Sequence, residues 1–280
     1  MPLARWLCLV LGALAPLVGE TRGEVTLVAC APGYPGTTAE AQPSMDALAQ
    51  ALARVSGWPA GSVAAVYEAT EQGGRDRLGR GGPLLALVTL PFLVKNGAAL
   101  KLAPRLVAEQ KGVGLEEVWS LVAKKGRVTS PGALAGFTLG SIAGYAPAFV
   151  RGALSGFGPI PESTRIVASS QVLSTLRRAV AGEDVAVLLD GEESAALGSL
   201  PFASELEVVA RSRPLPSAFV CTVGDALAPA RYRALERGLV ALSADPGGAA
   251  ALEGIRMVRF VPAPPSALAV YRALGEKAGR

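Results

Sequence analysis

Gly136-Phe-Thr-Leu-Gly-Ser-Ile-Ala-Gly-Tyr-Ala-Pro-Ala-Phe149 is the stretch whose reading decides the fold. Phe137 to Ile142 reads as a short buried strand. Gly144 breaks it, and Pro147 stands where a first helical turn accepts a residue without an N–H. A strand that turns into a helix leaves backbone N–H groups unpaired at its tip, and the helix dipole points the same way. Such joints can receive anions or polar groups. No acidic side chain lies between Gly136 and Val150 to compete for those donors. The same residues also fit an ordinary strand–turn–helix corner with no ligand.

The rest of the chain sets limits on that reading. Its 280 residues suffice for two modest domains with sizeable cores. Half of the residues are apolar and 18% are charged, a globular composition. Lys and Arg are scattered, the net charge is +4 and aromatic residues make up 5%, which argues against a nucleic-acid surface. Histidine is absent. Its absence excludes Ser-His-Asp and Cys-His catalysis, histidine metal sites and imidazole proton shuttles.

Met1 to Gly23 reads as a secretory signal, with Arg5 ahead of an apolar run from Trp6 to Val18 that is too short to span a bilayer. An uncleaved anchor is the alternative. Cleavage after Gly23 would leave Cys30 and Cys221, which fit either a disulfide of an exported protein or two isolated buried thiols.

From Glu24 onward strands alternate with helices: Val25–Cys30, a helix capped by Ser44, Ser62–Tyr67, and the apolar Leu84–Leu90. That order argues for α/β layers with a largely parallel sheet, whose ligands sit at the carboxyl ends of the strands. Candidate tips are Tyr34-Pro35, Thr89 to Phe92, and Ser141 to Tyr145. Gly- and Arg-rich Glu71 to Gly82 reads as a solvated helix end or loop. Lys124-Lys-Gly-Arg127 and Arg211-Ser-Arg-Pro-Leu-Pro216 suit crossings between domains. Glu192-Glu193 reads as a solvated helix start, and Asp190 as a strand end outside any site.

The order of these parts resembles the phosphate/phosphonate-type substrate-binding proteins of ABC importers. The likeness rests on Leu134-Ala-Gly-Phe-Thr-Leu-Gly-Ser-Ile-Ala-Gly-Tyr145, Val180-Ala-Gly-Glu-Asp-Val-Ala186, Val209-Ala-Arg-Ser-Arg-Pro-Leu-Pro216 and Phe260-Val-Pro262. It implies a type II periplasmic-binding fold: two α/β lobes, each a mostly parallel sheet flanked by helices, joined by two crossover segments. The lobes would be 24–126 with 214–280, and 127–213. It implies an exported monomer that captures a small anion, namely phosphate, phosphite or a phosphonate, between the lobes. The partner would be an ABC permease or a membrane receptor in the periplasm, with no nucleic acid, cofactor or metal. Ile142-Ala143 stand where the family usually places hydroxyls, and no acidic residue is evident near Thr89.

The expected ligand-binding positions are Tyr34, Thr89, Ser141, Gly144, Tyr145, Ser169 and Ser170. Hydroxyl and backbone N–H donors would do the binding. Tyr34 and Tyr145 also fit cleft packing, and Ser169 and Ser170 also fit a cap for the helix after Gln171. An enzyme on the same fold would need a nucleophile or an acid–base pair. The candidates, Cys30, Cys221 and Glu192-Glu193, fit that role poorly.

Overall fold

A computed structural model describes residues 24–278, so the expected signal segment lies outside the described residues. The chain opens with β1 (Val25–Cys30), α1 (Thr38–Val55), β2 (Val63–Glu68), α2 (Glu71–Gly79), β3 (Leu84–Thr89), α3 (Leu90–Asn96) and β4 (Leu102–Gln110). α1 starts earlier than a Ser44 cap would place it. The Thr37 hydroxyl accepts from the Glu40 N–H at 3.2 Å while the Glu40 carboxylate accepts from the Thr37 N–H at 2.8 Å, a capping box that satisfies two end donors. Met45, Leu48, Ala49 and Leu52 then bury one face. Glu71 to Gly79 is a helix, capped by Thr70 through the Gly73 N–H.

The chain continues through β5 (Glu116–Glu117), β6 (Ser120–Lys124), β7 (Thr138–Ser141), α4 (Pro147–Ala153), β8 (Arg165–Ala168), α5 (Val172–Val180), β9 (Val185–Leu189), α6 (Gly191–Ala196) and β10 (Leu206–Arg211). It ends with β11 (Leu215–Pro216), β12 (Ala218–Val223), α7 (Pro229–Ala241), α8 (Pro246–Gly254), β13 (Met257–Pro262) and α9 (Pro265–Ala278).

Two larger sheets result, ordered β13-β4-β12-β3-β1-β2 and β10-β6-β9-β7-β8. Each is mixed. The β2-β1-β3 and β8-β7-β9 portions are parallel, and the pairings on the other side of each sheet are antiparallel. β5 and β11 form a two-stranded antiparallel ribbon that carries both crossings between the sheets. The second crossing falls where Arg211–Pro216 suggested. The first lies at Glu116–Trp119, ahead of Lys124-Lys-Gly-Arg127, because Ser120–Lys124 pairs with β9 and β10 in the second sheet. A boundary at residue 126 therefore assigns one strand to the wrong sheet.

A single apolar cluster runs from the first sheet into the second, including Phe92, Leu93, Trp119, Leu139, Phe149 and Leu274. Trp119 meets Phe149 edge-on, with ring centroids 5.1 Å apart. α9 leaves the first sheet and packs on both α3 and α4, bringing Leu274 beside Gly152. Cys30 and Cys221 are free and buried in separate strands, so the disulfide reading does not hold. No helix among the described residues is long and apolar enough to cross a membrane.

Candidate functional site

The ends of β1 and β3 face the β7 tip and the end of β9. Gly33, in the loop after β1, has φ +90°, and a Cβ there would stand 3.0 Å from that of Ile142. That contact brings the first-sheet loop onto the second-sheet tip. Gly144 is fixed by a closer approach, since a Cβ on it would lie 2.0 Å from the Val167 carbonyl oxygen. The β7 tip can fold over β8 only with glycine at this position.

A cavity of about 10 Å³, room for about one water molecule, lies between Tyr34, Thr89, Glu117, Trp119, Ile142 and Tyr145. Three of the expected residues meet here. The Thr89 and Tyr145 hydroxyls lie 3.4 Å apart, and Lys95, paired with Glu71 at 2.7 Å, stands 5.8 Å over the Tyr145 ring. Trp119 is 1% exposed, and its indole N–H has no hydrogen bond of normal geometry, although it lies near enough to Glu117 to favour the carboxylate.

Outside this cavity a groove of about 630 Å³ shares Tyr34, Thr89 and Ile142 with it. Tyr67, Met45, Leu87 and Met257 give it apolar walls, and Asp190 and Glu193 stand at its second-sheet side. The Tyr34 hydroxyl donates to Asp190 Oδ2 at 2.8 Å, a contact between the two halves of the molecule. Asp190 and Glu193 also form a capping box for α6: the Glu193 N–H donates to Asp190 Oδ1 at 2.8 Å and the Asp190 N–H to the Glu193 carboxylate at 3.1 Å. Glu117 accepts from the Gly191 N–H at 3.0 Å.

Three carboxylates thus gather with little compensation. Burial pushes Glu117 up to about 8, with the Asp190 charge adding to the rise and the Gly191 N–H opposing it. Glu193 is also pushed up to about 8, by burial and then by Asp190. Burial likewise raises Asp190. Burial and the Asp190 charge hold the Tyr34 phenol protonated and able to donate.

The other expected positions lie apart from the small cavity. Ser141 is fully buried, and its hydroxyl accepts from the Ala143 N–H at 3.2 Å. Ser169 accepts from the Gln171 N–H at 3.3 Å and lies 3.4 Å from the Thr175 hydroxyl, which is helix-start chemistry. Ser170 is exposed and borders the groove. Glu117, Trp119, Asp190 and Glu193 were not expected at the site. Asp190 carried a usable signal, because it ends a strand of a parallel pair, where open α/β sheets place ligands.

No family model matches the sequence, and no curated relative matches it. Solved structures do match. XAC2383 of Xanthomonas citri bound to chloride superposes with a TM-score of 0.70 at 17% identity, covering 92% of this chain and 98% of that one. A binding protein component of an ABC phosphonate transporter from Pseudomonas aeruginosa gives 0.63 at 13% identity, covering 92% and 87%. PhnD1 of Prochlorococcus marinus in complex with methylphosphonate gives 0.61 at 14% identity, covering 91% and 98%. The chain has the type II periplasmic-binding fold, two α/β halves about a cleft.

Proposed function

We propose that this protein is an exported solute-binding protein that holds a small polar solute between its two sheets. The observation that carries the reading is the meeting of Tyr34 and Thr89, from the first sheet, with Tyr145, Ile142 and Asp190, from the second, around one cleft. Two chain crossings close together in the β5–β11 ribbon permit hinge motion, the usual way such a cleft admits and encloses a ligand. The fold likeness to binding proteins of ABC phosphonate transporters supports delivery to a membrane permease, with a membrane receptor as the other partner of the same chemistry.

The roles proposed for the hydroxyls of Thr89 and Tyr145 are those of ligand donors, with the Trp119 N–H as a third; the Tyr34 hydroxyl, whose proton goes to Asp190, would offer its oxygen to the ligand as an acceptor. Ser170 borders the entrance. Catalysis is a poor fit, because both thiols are buried and burial raises their pKa, leaving no thiolate. Phosphate, phosphite and methylphosphonate head the list of solutes to try, since PhnD1 carries methylphosphonate and these donors suit oxygen acceptors. With Glu117 in the same cavity, a phosphorus acid would be held in its less charged, protonated form.

A thermal-shift screen of the protein beginning at Glu24 tests the reading. A solute at 100 times its dissociation constant adds about 2.7 kcal/mol to the stability of the folded form. Stabilisation by a phosphorus oxyanion supports the finer assignment, and stabilisation only by another solute class removes it. No response to any solute class overturns the binding reading.

A further inference from the structure

The outer groove is far larger than the inner cavity, and its charge has the wrong sign for a simple oxyanion. At about 630 Å³ it falls in the range that encloses drug-sized organic ligands, whereas the inner cavity holds about one atom group. Two cations border it, and both already have partners: Arg256 donates to Glu192 at 2.6 Å and Lys111 to Glu253 at 2.5 Å. Among the described residues Asp190 and Glu193 have no cation partner; their hydrogen bonds come from Tyr34 and from each other's backbone. Buried carboxylates without a counter-charge are costly, and a positively charged ligand group would relieve that cost. A separate observation marks the inner end. The Trp119 N–H is a donor only, it is buried, it makes no hydrogen bond of normal geometry although it lies near Glu117, and it lines the cavity that shares Tyr34, Thr89 and Ile142 with the groove.

We propose that the ligand is an organic ammonium compound, its positive nitrogen on Asp190 and Glu193, its apolar body along Tyr67, Met45 and Met257, and an oxygen acceptor at the Trp119 N–H. The inference rests on the solute-binding reading alone and names, for that same cleft, a ligand class that stands against its phosphorus oxyanion assignment. Charge on the groove side and a donor in the inner cavity would orient the molecule, and the apolar walls of the groove would favour an organic body. The chemistry recognises an amine that carries an oxygen group and an aromatic or alkyl body, and it rejects carboxylic acids of the same shape.

Calorimetric titration with tyramine tests this, using N-acetyltyramine to remove the charge, 4-hydroxyphenylacetate to reverse it and phenethylamine to remove the oxygen. Tyramine should bind at least about tenfold more tightly than either of the first two, as expected for a buried charge-assisted contact. Glu193→Gln, which keeps the capping box, should narrow that difference. Trp119→Phe should weaken tyramine several-fold and leave phenethylamine unchanged. Equal affinity for the amine and its acetylated form overturns the proposal. Binding of phosphorus oxyanions with none of tyramine or phenethylamine also overturns it, while the solute-binding reading stands. Failure of every solute class in the screen removes both.

Discussion

Raising the pH from 5 to 8 should weaken this fold, and Glu117 should account for much of the loss. The side chain is 5% exposed and its carboxyl titrates at about 8 in the folded protein, against an ordinary value of 4.5. Between those two values the folded state keeps a proton that the unfolded chain has released. Stability is therefore fully present below pH 4.5 and is lost progressively as the pH rises towards 8. At about 1.4 kcal/mol per pH unit, that interval corresponds to at most about 5 kcal/mol. Asp190 and Glu193 titrate against the same neighbours, so the three contributions overlap and do not sum. Carboxylates whose pKa is lowered, such as Glu40 and Asp245, act below pH 4.5, outside this window. Urea unfolding midpoints at pH 5, 6.5, 8 and 9 measure the effect. The wild-type midpoint should fall across the series and level off above pH 8, and Glu117→Gln should flatten the slope. A midpoint that holds steady or rises from pH 5 to 8, or an unchanged slope in the variant, would refute the reasoning.

Three further outcomes follow from local geometry. Gly144→Ala puts a methyl group against the Val167 carbonyl, so it should cost about 3 kcal/mol and lower Tm by several degrees; scanning calorimetry would show it. Lys101 holds φ 52° in an exposed turn, and Lys101→Gly should be neutral to about 1 kcal/mol stabilising in urea unfolding, because relief of the left-handed backbone outweighs the added unfolded-state entropy. Cys30 and Cys221 should resist a thiol reagent in the native protein and both react once it is denatured without reductant, whereas a bridged pair would stay silent.

The alternation of apolar strands with amphipathic helices made the α/β class legible, and the prolines of Arg211–Pro216 marked one crossing. The sheet direction was not legible. Strands such as Ala218–Val223 and Leu84–Thr89 are buried throughout, so each reads as a continuous apolar run whichever way its neighbour points. The first crossing was misplaced because Lys124-Lys-Gly-Arg127 has a linker's composition, while the actual crossing at Glu116–Trp119 is short and partly buried. Tyr34, Thr89 and Tyr145 were legible as strand-end residues. Glu193 was not, because its local sequence is that of an exposed helix start, whereas in the fold it is half-buried and caps the helix with Asp190. Glu117 and Trp119 sit in the crossing ribbon, which no local pattern distinguishes as a site.

Trp119 also offers the most direct test of the central claim, that solute binds in the cleft between the sheets. The chain has three tryptophans, Trp6, Trp58 and Trp119. A protein beginning at Glu24 and carrying Trp58→Phe keeps Trp119 as its only indole. Titrating that variant with a solute that stabilises the fold should change the Trp119 emission with the dissociation constant seen by calorimetry. Stabilisation and binding heat with no change at Trp119 would place the solute elsewhere and contradict the account.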